Sequence, residues 1–157
     1  MRISRVTLSL VALSVAGLGL TVAAQQKPAA AAAPKVTVYK TSSCGCCRLW
    51  VDYMKRNGFD VQAMDVSSAD VRAVSKAAGL RDEDASCHTA KIGNYVVEGH
   101  VPADDIKRML KEKPAIAGLS APGMPQGSPG MEQGSKEPYD VVAFTKDGKT
   151  TVFAKHK

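Results

Sequence analysis

The chain lacks the sequence features of a nucleic-acid-binding protein. No basic stripe with interleaved aromatic residues occurs, and aromatic residues make up only 5% of the sequence. The formal net charge of +6 is spread over scattered lysines and arginines. A scattered positive balance of this kind indicates solubility rather than nucleic-acid binding, so we expect no nucleic-acid partner.

The chain also lacks an apolar run long enough for a stable membrane span. Arg2 and Arg5 precede a largely apolar stretch over residues 6–20, which is shorter than the roughly 20 residues that a spanning helix prefers. Small residues at 21–24 suit a cleavage site. We therefore predict a cleaved signal peptide over residues 1–24, export to a bacterial-type periplasm, and no stable membrane insertion after cleavage.

Cysteine is scarce, and its placement argues against a framework of structural disulfides. Only four cysteines occur: three lie in the segment Cys44-Gly45-Cys46-Cys47, and the fourth is Cys87. Direct neighbours such as Cys46 and Cys47 make poor disulfide partners, because their side chains diverge. Spare thiols in an oxidising compartment become disulfides unless they are reduced, redox-active or metal-bound. The cluster therefore predicts either a soft-metal site or a dithiol redox couple.

The hydrophobic pattern predicts a single mixed α/β domain over residues 35–155, after an Ala/Pro-rich linker over 25–34. The predicted elements are a strand at 36–39, a helix that ends at Asn57-Gly58, a strand at 59–66, a helix at 67–78, a hairpin at 89–98 and a helix from Pro102 to Pro114. This β-α-β-α-β-β-α order is that of a thioredoxin-like fold, with the cysteines at the first junction between strand and helix.

A segment rich in Gly, Pro, Ser and Met follows this pattern, and a C-terminal β-hairpin at 139–153 closes it. Such a long loop is either functional or disordered. Thioether sulfur is a soft ligand for Cu(I), so Met124 and Met131 in this loop are candidate ligands. The alternative is a mobile loop whose methionines cover apolar surface. Three further methionines lie on faces of predicted elements, and we expect them to pack in the core: Met54, Met64 and Met109. We expect Trp50 to be a packed aromatic residue that shields the site.

The spacing of the cysteines bears on their chemistry. Ser43 as N-cap would place Cys44 to Cys47 in the first helical turn, where free N–H groups lower thiol pKa values. Cys44 and Cys47 form a C-x-x-C pair of the thioredoxin kind, whereas Cys46 is a sulfur that dithiol exchange does not require. Thiolates can bridge two Cu(I) ions, so these three cysteines and Cys87 predict a copper cluster. Zinc is the alternative metal, although adjacent ligands do not match its usual paired spacing.

Histidine is scarce as well, and one of the three follows the fourth cysteine directly. In a thioredoxin-like topology, the loop that carries Cys87 and His88 faces the cysteine-bearing end of the first helix. His88 is therefore a candidate metal ligand or a donor to a ligand, with a solvated loop histidine as the alternative. His100 is a weaker candidate, and we expect no role in the site for His156.

Four motifs stand in order along residues 35–155. They are Thr41-Ser42-Ser43-Cys44-Gly45-Cys46-Cys47 with Trp50, Ser86-Cys87-His88-Thr89, Val97-Glu98-Gly99-His100-Val101-Pro102, and Pro122-Gly123-Met124-Pro125 to Met131. Together they resemble the DUF411 family of exported metal-binding proteins, which are often associated with copper resistance. The resemblance implies a thioredoxin-like domain that binds copper through Cys44, Cys46, Cys47 and Cys87, and it allows redox activity toward copper in the periplasm.

The leading hypothesis is a periplasmic copper-binding protein for copper resistance or homeostasis, with several Cu(I) ions in a thiolate-bridged cluster. A copper-linked oxidoreductase is a variant of it, so whether the chain is an enzyme stays open. The expected partners are copper ions and a periplasmic copper carrier or redox protein. The alternative is a thiol-disulfide oxidoreductase that uses the Cys44/Cys47 pair, with Cys46 or Cys87 as resolving thiol. A third interpretation is a binding module whose fold is stabilised by a zinc ion.

Overall fold

The computed structural model describes residues 32–157. The predicted signal peptide and most of the predicted linker lie outside the described residues. Within them the elements are β1 (Lys35–Lys40), α1 (Gly45–Arg56), β2 (Asp60–Asp65), α2 (Ser68–Ala77), a 3₁₀ turn (Asp82–Asp84), β3 (His88–Ile92), β4 (Tyr95–Glu98), α3 (Ala103–Glu112), β5 (Gly118–Ser120), β6 (Tyr139–Phe144) and β7 (Thr150–His156). None of the helices in this part of the chain is long and apolar enough to cross a membrane.

The strands of the described residues form one seven-stranded sheet in the order β2-β1-β3-β4-β5-β6-β7. β1 pairs with β2 in parallel, and β4 pairs with β5 in parallel. All other neighbouring strands within residues 32–157 run antiparallel. The connections between the parallel pairs contain α1 and α3, as parallel neighbours require a long crossover. The expected mixed α/β architecture is confirmed.

The helix starts follow local capping chemistry. Ser67 caps α2, and its side chain accepts a hydrogen bond of 3.1 Å from the backbone N–H of Asp70. The start of α1 differs from the prediction, because Cys44 and not Ser43 occupies the N-cap position. Cys46 and Cys47 therefore lie in the first helical turn, whereas Cys44 stands just before it.

The core lies between the central strands and two helices. Trp50 and Met54 from α1 and Met109 from α3 are fully buried, as predicted. They belong to one apolar cluster with side chains of the central strands, among them Val36, Val38, Ile92, Val97 and Leu119. Burial of this apolar surface provides most of the stabilisation of such a sheet.

The prediction that Met64 packs in the core was wrong. Met64 lies on β2, and its side chain is 40% exposed. The alternation of apolar and polar residues suggested a half-buried strand, but β2 is the outermost strand of the sheet, and most of its residues are exposed. Exposed residues occur on both faces of β2, so alternation alone does not place its apolar residues in the core.

Two further features of the C-terminal part were not predicted. β5 inserts between β4 and β6, although Gly118-Leu119-Ser120 carries too short a pattern to indicate a strand. His156, for which no role in the site was expected, lies at the end of β7. Its Nε2 atom lies 2.7 Å from Oδ2 of Asp105, and its ring stacks on Tyr139. It helps to fix β7 against α3, away from the cysteines.

We expect Met54→Ala to lower the free energy of unfolding by about 2–5 kcal/mol, because it deletes a fully buried side chain and leaves a cavity. Urea unfolding followed by tryptophan fluorescence measures this, since the chain has one tryptophan. The matched control is Met64→Ala, which should change stability by less than about 0.5 kcal/mol. Equal costs for the two variants would contradict the described packing.

Candidate metal centre

Two neighbouring strands bring the cysteines together. β1 ends at Lys40, and the chain then turns through the cysteine loop into α1. β3 begins at His88, which lies opposite Lys40 in the antiparallel pair of β1 and β3. Cys87, the residue before β3, therefore reaches the start of α1, as expected from the order of the elements.

The four cysteine sulfurs form one compact group. All four Sγ atoms lie within 4.8 Å of one another. Cys44 and Cys47 are joined by a disulfide, while Cys46 and Cys87 are free thiols. Cys87 Sγ lies 3.4 Å from Cys47 Sγ and 3.9 Å from Cys46 Sγ, and Cys44 Sγ lies 3.4 Å from Cys46 Sγ. The structure thus describes the oxidised form of the predicted C-x-x-C pair, beside two reduced thiols.

The sulfur separations suit a shared metal ion. Sulfurs bound to one tetrahedral ion at about 2.3 Å lie roughly 3.8 Å apart. The observed distances of 3.4 to 3.9 Å bracket that value. Reduction of the Cys44–Cys47 disulfide would supply four thiol donors at this spacing. The cysteine group can therefore hold a soft metal ion once it is reduced, and it can carry a disulfide when it is not.

Two histidines complete the centre. His88 is fully buried at the first position of β3, so the alternative of a solvated loop histidine was wrong. Its Nδ1 atom lies 3.4 Å from Cys87 Sγ. His100 is also fully buried, and its Nε2 atom lies 3.1 Å from the same sulfur. The rings of His88 and His100 meet edge to face with centroids 5.0 Å apart.

The structure places His100 as close to Cys87 as His88, although the sequence made His100 the weaker candidate. Thirteen residues separate it from Cys87. The contact arises because β3 and β4 form a hairpin, and His100 follows β4 where that strand returns beside the start of β3. The signal that was available is the motif Val97-Glu98-Gly99-His100-Val101-Pro102, in which a predicted strand is followed by a glycine and then a histidine.

Burial sets the protonation of the centre. Desolvation, with a further contribution from Cys46, raises the pKa of the Cys87 thiol to about 12. Desolvation also lowers the pKa of His88 well below its ordinary value, and the neighbouring His100 lowers it further. The pKa of His100 is lowered by burial as well. Near neutral pH Cys87 is therefore a thiol beside two uncharged imidazoles, and a metal ion that binds there must displace its proton.

The Gly/Pro/Met-rich loop over residues 121–138, here called the site loop, packs against the centre. His100 Nδ1 donates a 2.8 Å hydrogen bond to the carbonyl oxygen of Pro129. The backbone N–H of Gly123 donates to the carbonyl of Ala85 at 2.9 Å, near the cysteine at position 87. The side chain of Met124 is 51% exposed, and Met131 is half-buried. Ligation by these two methionines stays a prediction.

Trp50 shields the centre from the core side, as expected. Its ring lies 4.5 Å from the His88 ring, measured between centroids. Its indole N–H donates a 3.0 Å hydrogen bond to the carbonyl of Val101. The buried indole therefore holds the segment between His100 and α3 and forms one wall of the site.

The fold and the centre define a mixed α/β protein with a cysteine-rich group that can hold metal, and the fold is similar to that of known structures. The family model described as "Protein of unknown function, DUF411" matches residues 84–131. Two solved structures named copper resistance protein CopG, form 1 and form 2, are each 40% identical with a TM-score of 0.72. Form 1 covers 78% of this chain and 98% of its own, and form 2 covers 80% and 99%. No curated protein matches the chain.

The chain belongs to the DUF411 family. The resemblance seen in the sequence motifs is thereby confirmed.

We expect Gly130→Ala to loosen the site loop. Gly130 has a φ of +86°, and an added Cβ would lie 2.9 Å from both the Cys46 carbonyl oxygen and the Trp50 backbone nitrogen. The two free thiols should then react faster with 5,5′-dithiobis(2-nitrobenzoate), by about tenfold for each 1.4 kcal/mol of lost loop closure.

The matched control is Gly123→Ala. Gly123 has a φ of +69°, but an added Cβ there would meet no atom within 4 Å. It carries similar backbone strain without the clash, so its thiol reactivity should rise much less. Equal rates in the two variants would show that the loop does not gate access to the thiols.

Proposed function

We propose that the chain is an exported copper-binding protein of copper resistance or homeostasis, which holds Cu(I) on Cys44, Cys46, Cys47 and Cys87. The observation that carries this proposal is the convergence of four sulfurs within 4.8 Å of one another. It occurs in a chain 40% identical to proteins named for copper resistance. Thiolates are the ligands that Cu(I) selects over harder donors.

The crowding of the sulfurs favours copper over zinc and several ions over one. A structural zinc site uses four thiolates for one ion, and its ligands come in spaced pairs. Here Cys46 and Cys47 are adjacent, and once the Cys44–Cys47 disulfide is reduced, four thiolates within this small group could each bridge two ions. When four sulfurs are shared among several ions, each ion has few ligands, and Cu(I) binds stably with few ligands. His88, Met124 and Met131 are proposed as additional donors at the edge of the cluster.

The setting proposed for this chemistry is the periplasm. Residues 1–24 are proposed as a signal peptide, 25–34 as a linker and 35–155 as a single thioredoxin-like domain. Support for that fold class comes from the parallel pairing of β1 and β2 across α1, with the cysteines at the β1–α1 junction. The proposed partners are copper ions and a periplasmic copper carrier or redox protein.

Anaerobic titration of the fully reduced protein with Cu(I), against a competing chelator, tests the proposal. We expect several Cu(I) ions per chain. Cys46→Ser should lower the number bound and weaken affinity by at least about tenfold, because even changes around metal ligands cost ten- to a hundredfold. The control is Ser43→Ala, which changes an exposed neighbour of the cluster and should leave the titration unaltered. One ion per chain, or an unchanged Cys46→Ser titration, would contradict the thiolate cluster.

A second function is favoured by one specific observation. Cys44 and Cys47 are already joined by a disulfide, and the free Cys87 thiol lies 3.4 Å from Cys47 Sγ. Attack by the Cys87 thiolate on Cys47 would form a Cys47–Cys87 bond and release Cys44 as a thiolate, so two thiols and one disulfide are conserved. This chemistry fits a thiol-disulfide oxidoreductase. It also fits a copper-linked oxidoreductase. Two thiols would give one electron each to two Cu(II) ions, which yields two Cu(I) ions, two protons and the disulfide, and a periplasmic redox protein would then reduce the disulfide.

The second function predicts reduction of insulin disulfides in the presence of a chelator, with dithiothreitol as electron source. Cys44→Ser should reduce the rate to that of dithiothreitol alone, because the disulfide can no longer form between 44 and 47. Ser43→Ala again serves as the control. A wild-type rate no faster than dithiothreitol alone would leave copper binding as the function of the cluster.

A further inference from the structure

One buried charge has no part in the proposed chemistry of the sulfurs. Glu98 ends β4, and its side chain is fully buried. Burial of a carboxylate is unfavourable unless its oxygens have hydrogen-bond donors or a counter-ion. Oε1 accepts a 2.8 Å hydrogen bond from the backbone N–H of Ser86, and Oε2 accepts a 2.6 Å bond from the hydroxyl of Thr89. The carboxylate is therefore fastened to the two residues that flank Cys87 and His88.

We propose that Glu98 is a positioning residue for Cys87: its carboxylate clamps the backbone of Ser86 and thereby holds the Cys87 sulfur against the cysteine loop. The proposal rests on the proposed function, because a fixed position of this sulfur matters only if Cys87 binds metal or exchanges disulfides. Glu98 acts through the peptide backbone next to Cys87 rather than as a metal ligand or a catalytic group.

The first support is the place of Cys87 just outside the sheet. The pairing of β3 with β4 ends at Thr89 opposite Glu98, and β3 itself begins at His88. The sheet brings the chain to the cysteine loop, but Ser86 and Cys87 precede the strand. The hydrogen bond from the Ser86 N–H to the Glu98 side chain extends the pairing to this segment. It fixes the residue directly before the one that carries the sulfur.

The second support is the close packing of Ser86 on the residue that follows Glu98. An added Cβ at Gly99 would lie 2.5 Å from the Cβ and 2.5 Å from the Oγ of Ser86. A side chain at position 99 would therefore push the two backbones apart. The glycine lets the segment before Cys87 approach β4 closely enough for the Glu98 carboxylate to reach the Ser86 N–H.

The third support is that the carboxylate is itself held in place. Nη1 of Arg72, a residue of α2, lies 3.9 Å from Glu98 Oε1. The same guanidinium donates a 2.7 Å hydrogen bond to Ser75 Oγ and pairs with Asp82. Arg72 thus balances the buried charge and is fixed by partners of its own. A carboxylate that is held from α2 can in turn hold Ser86 in one place.

Alkylation by iodoacetamide tests the proposal on the disulfide form. Cys87 is the one free thiol in the background Cys46→Ser, and Cys46 is the one free thiol in the background Cys87→Ser. Peptide mass spectrometry identifies the alkylated residue. Glu98→Met keeps the length of the side chain without its oxygens, so we expect it to raise the Cys87 rate by at least about tenfold. The Cys46 rate should not change, because Cys46 lies on α1.

Glu98→Gln is the matched control. Its amide oxygen can accept from the Ser86 N–H, and its NH₂ group can donate to the Thr89 hydroxyl. That hydroxyl can then donate to the carbonyl oxygen of Val71, 3.3 Å away. The hydrogen bonds of the clamp are kept while the charge is lost, so the Cys87 rate should stay close to that of the background.

Three results would overturn the proposal. The first is an unchanged Cys87 rate in Glu98→Met. The second is a parallel increase at Cys87 and Cys46, which would show that the fold as a whole has loosened. The third is an equal increase of the Cys87 rate in the Met and Gln variants.

A second measurement uses the unaltered protein and depends on no variant. In the disulfide form, the Ser86 N–H should exchange with deuterium at least about tenfold more slowly than that of Ser43, an exposed serine of the cysteine loop. Ser86 lies outside the helices and strands, and its N–H donates to the Glu98 side chain, so its protection reports the clamp directly. Fast exchange at Ser86 would overturn the proposal whatever the variants do.

Cu(I) titration of the reduced variants connects the clamp with the proposed function. Glu98→Met should weaken Cu(I) binding by at least about tenfold and Glu98→Gln should not, since groups that orient metal ligands commonly contribute this much to affinity. If the unaltered chain bound no Cu(I) while its alkylation and exchange rates were as expected, the proposed function would fail and the clamp would stand. Unchanged Cu(I) binding in Glu98→Met would instead overturn the clamp and leave the proposed function.

Discussion

The antiparallel pairing of β1 with β3 is the constraint on which the centre depends. It sets Lys40 opposite His88, so the loop that leaves β1 and the residue that precedes β3 meet at one edge of the sheet. Cys87 reaches the start of α1 only in this register. A shift of one residue would turn the side chains of β3 to the opposite face and separate His88 from Trp50. The hydrogen bonds of the sheet thus hold Cys87 beside the cysteine loop, to which no disulfide joins it.

The site loop covers the centre, and this burial constrains the charge of the groups in it. The loop and Trp50 bury a thiol and two imidazoles, and burial favours their uncharged forms. Lys40, a buried cation opposite His88 in the sheet, is paired with Asp65. A metal cation that enters is therefore not opposed by an unpaired positive charge, and the thiolate that it creates compensates its charge. The same burial that disfavours a bare thiolate makes a metal-bound one the stable alternative.

Local patterns in the sequence predicted the helices, the central hairpin and the cysteine loop, because capping residues and apolar spacing act over a few residues. Contacts that depend on the order of strands in the sheet were harder to predict from the sequence. His100 reaches Cys87 only through the β3–β4 hairpin, and β5 is too short to show a pattern. Met64 was placed in the core because alternation does not reveal which strand is outermost. The sequence also left open which cysteines pair, since three of them lie within four positions.

Cys87 connects the disulfide to the buried histidines. Its sulfur lies 3.4 Å from Cys47 Sγ on one side and 3.1 Å from His100 Nε2 on the other. The Cys44–Cys47 disulfide withdraws two of the four thiols from metal binding, whereas Cys46 and Cys87 stay free. A metal ion held by all four sulfurs therefore requires the reduced form, and a change of oxidation state at Cys47 takes place within contact distance of Cys87 and, through Cys87, beside the buried imidazoles.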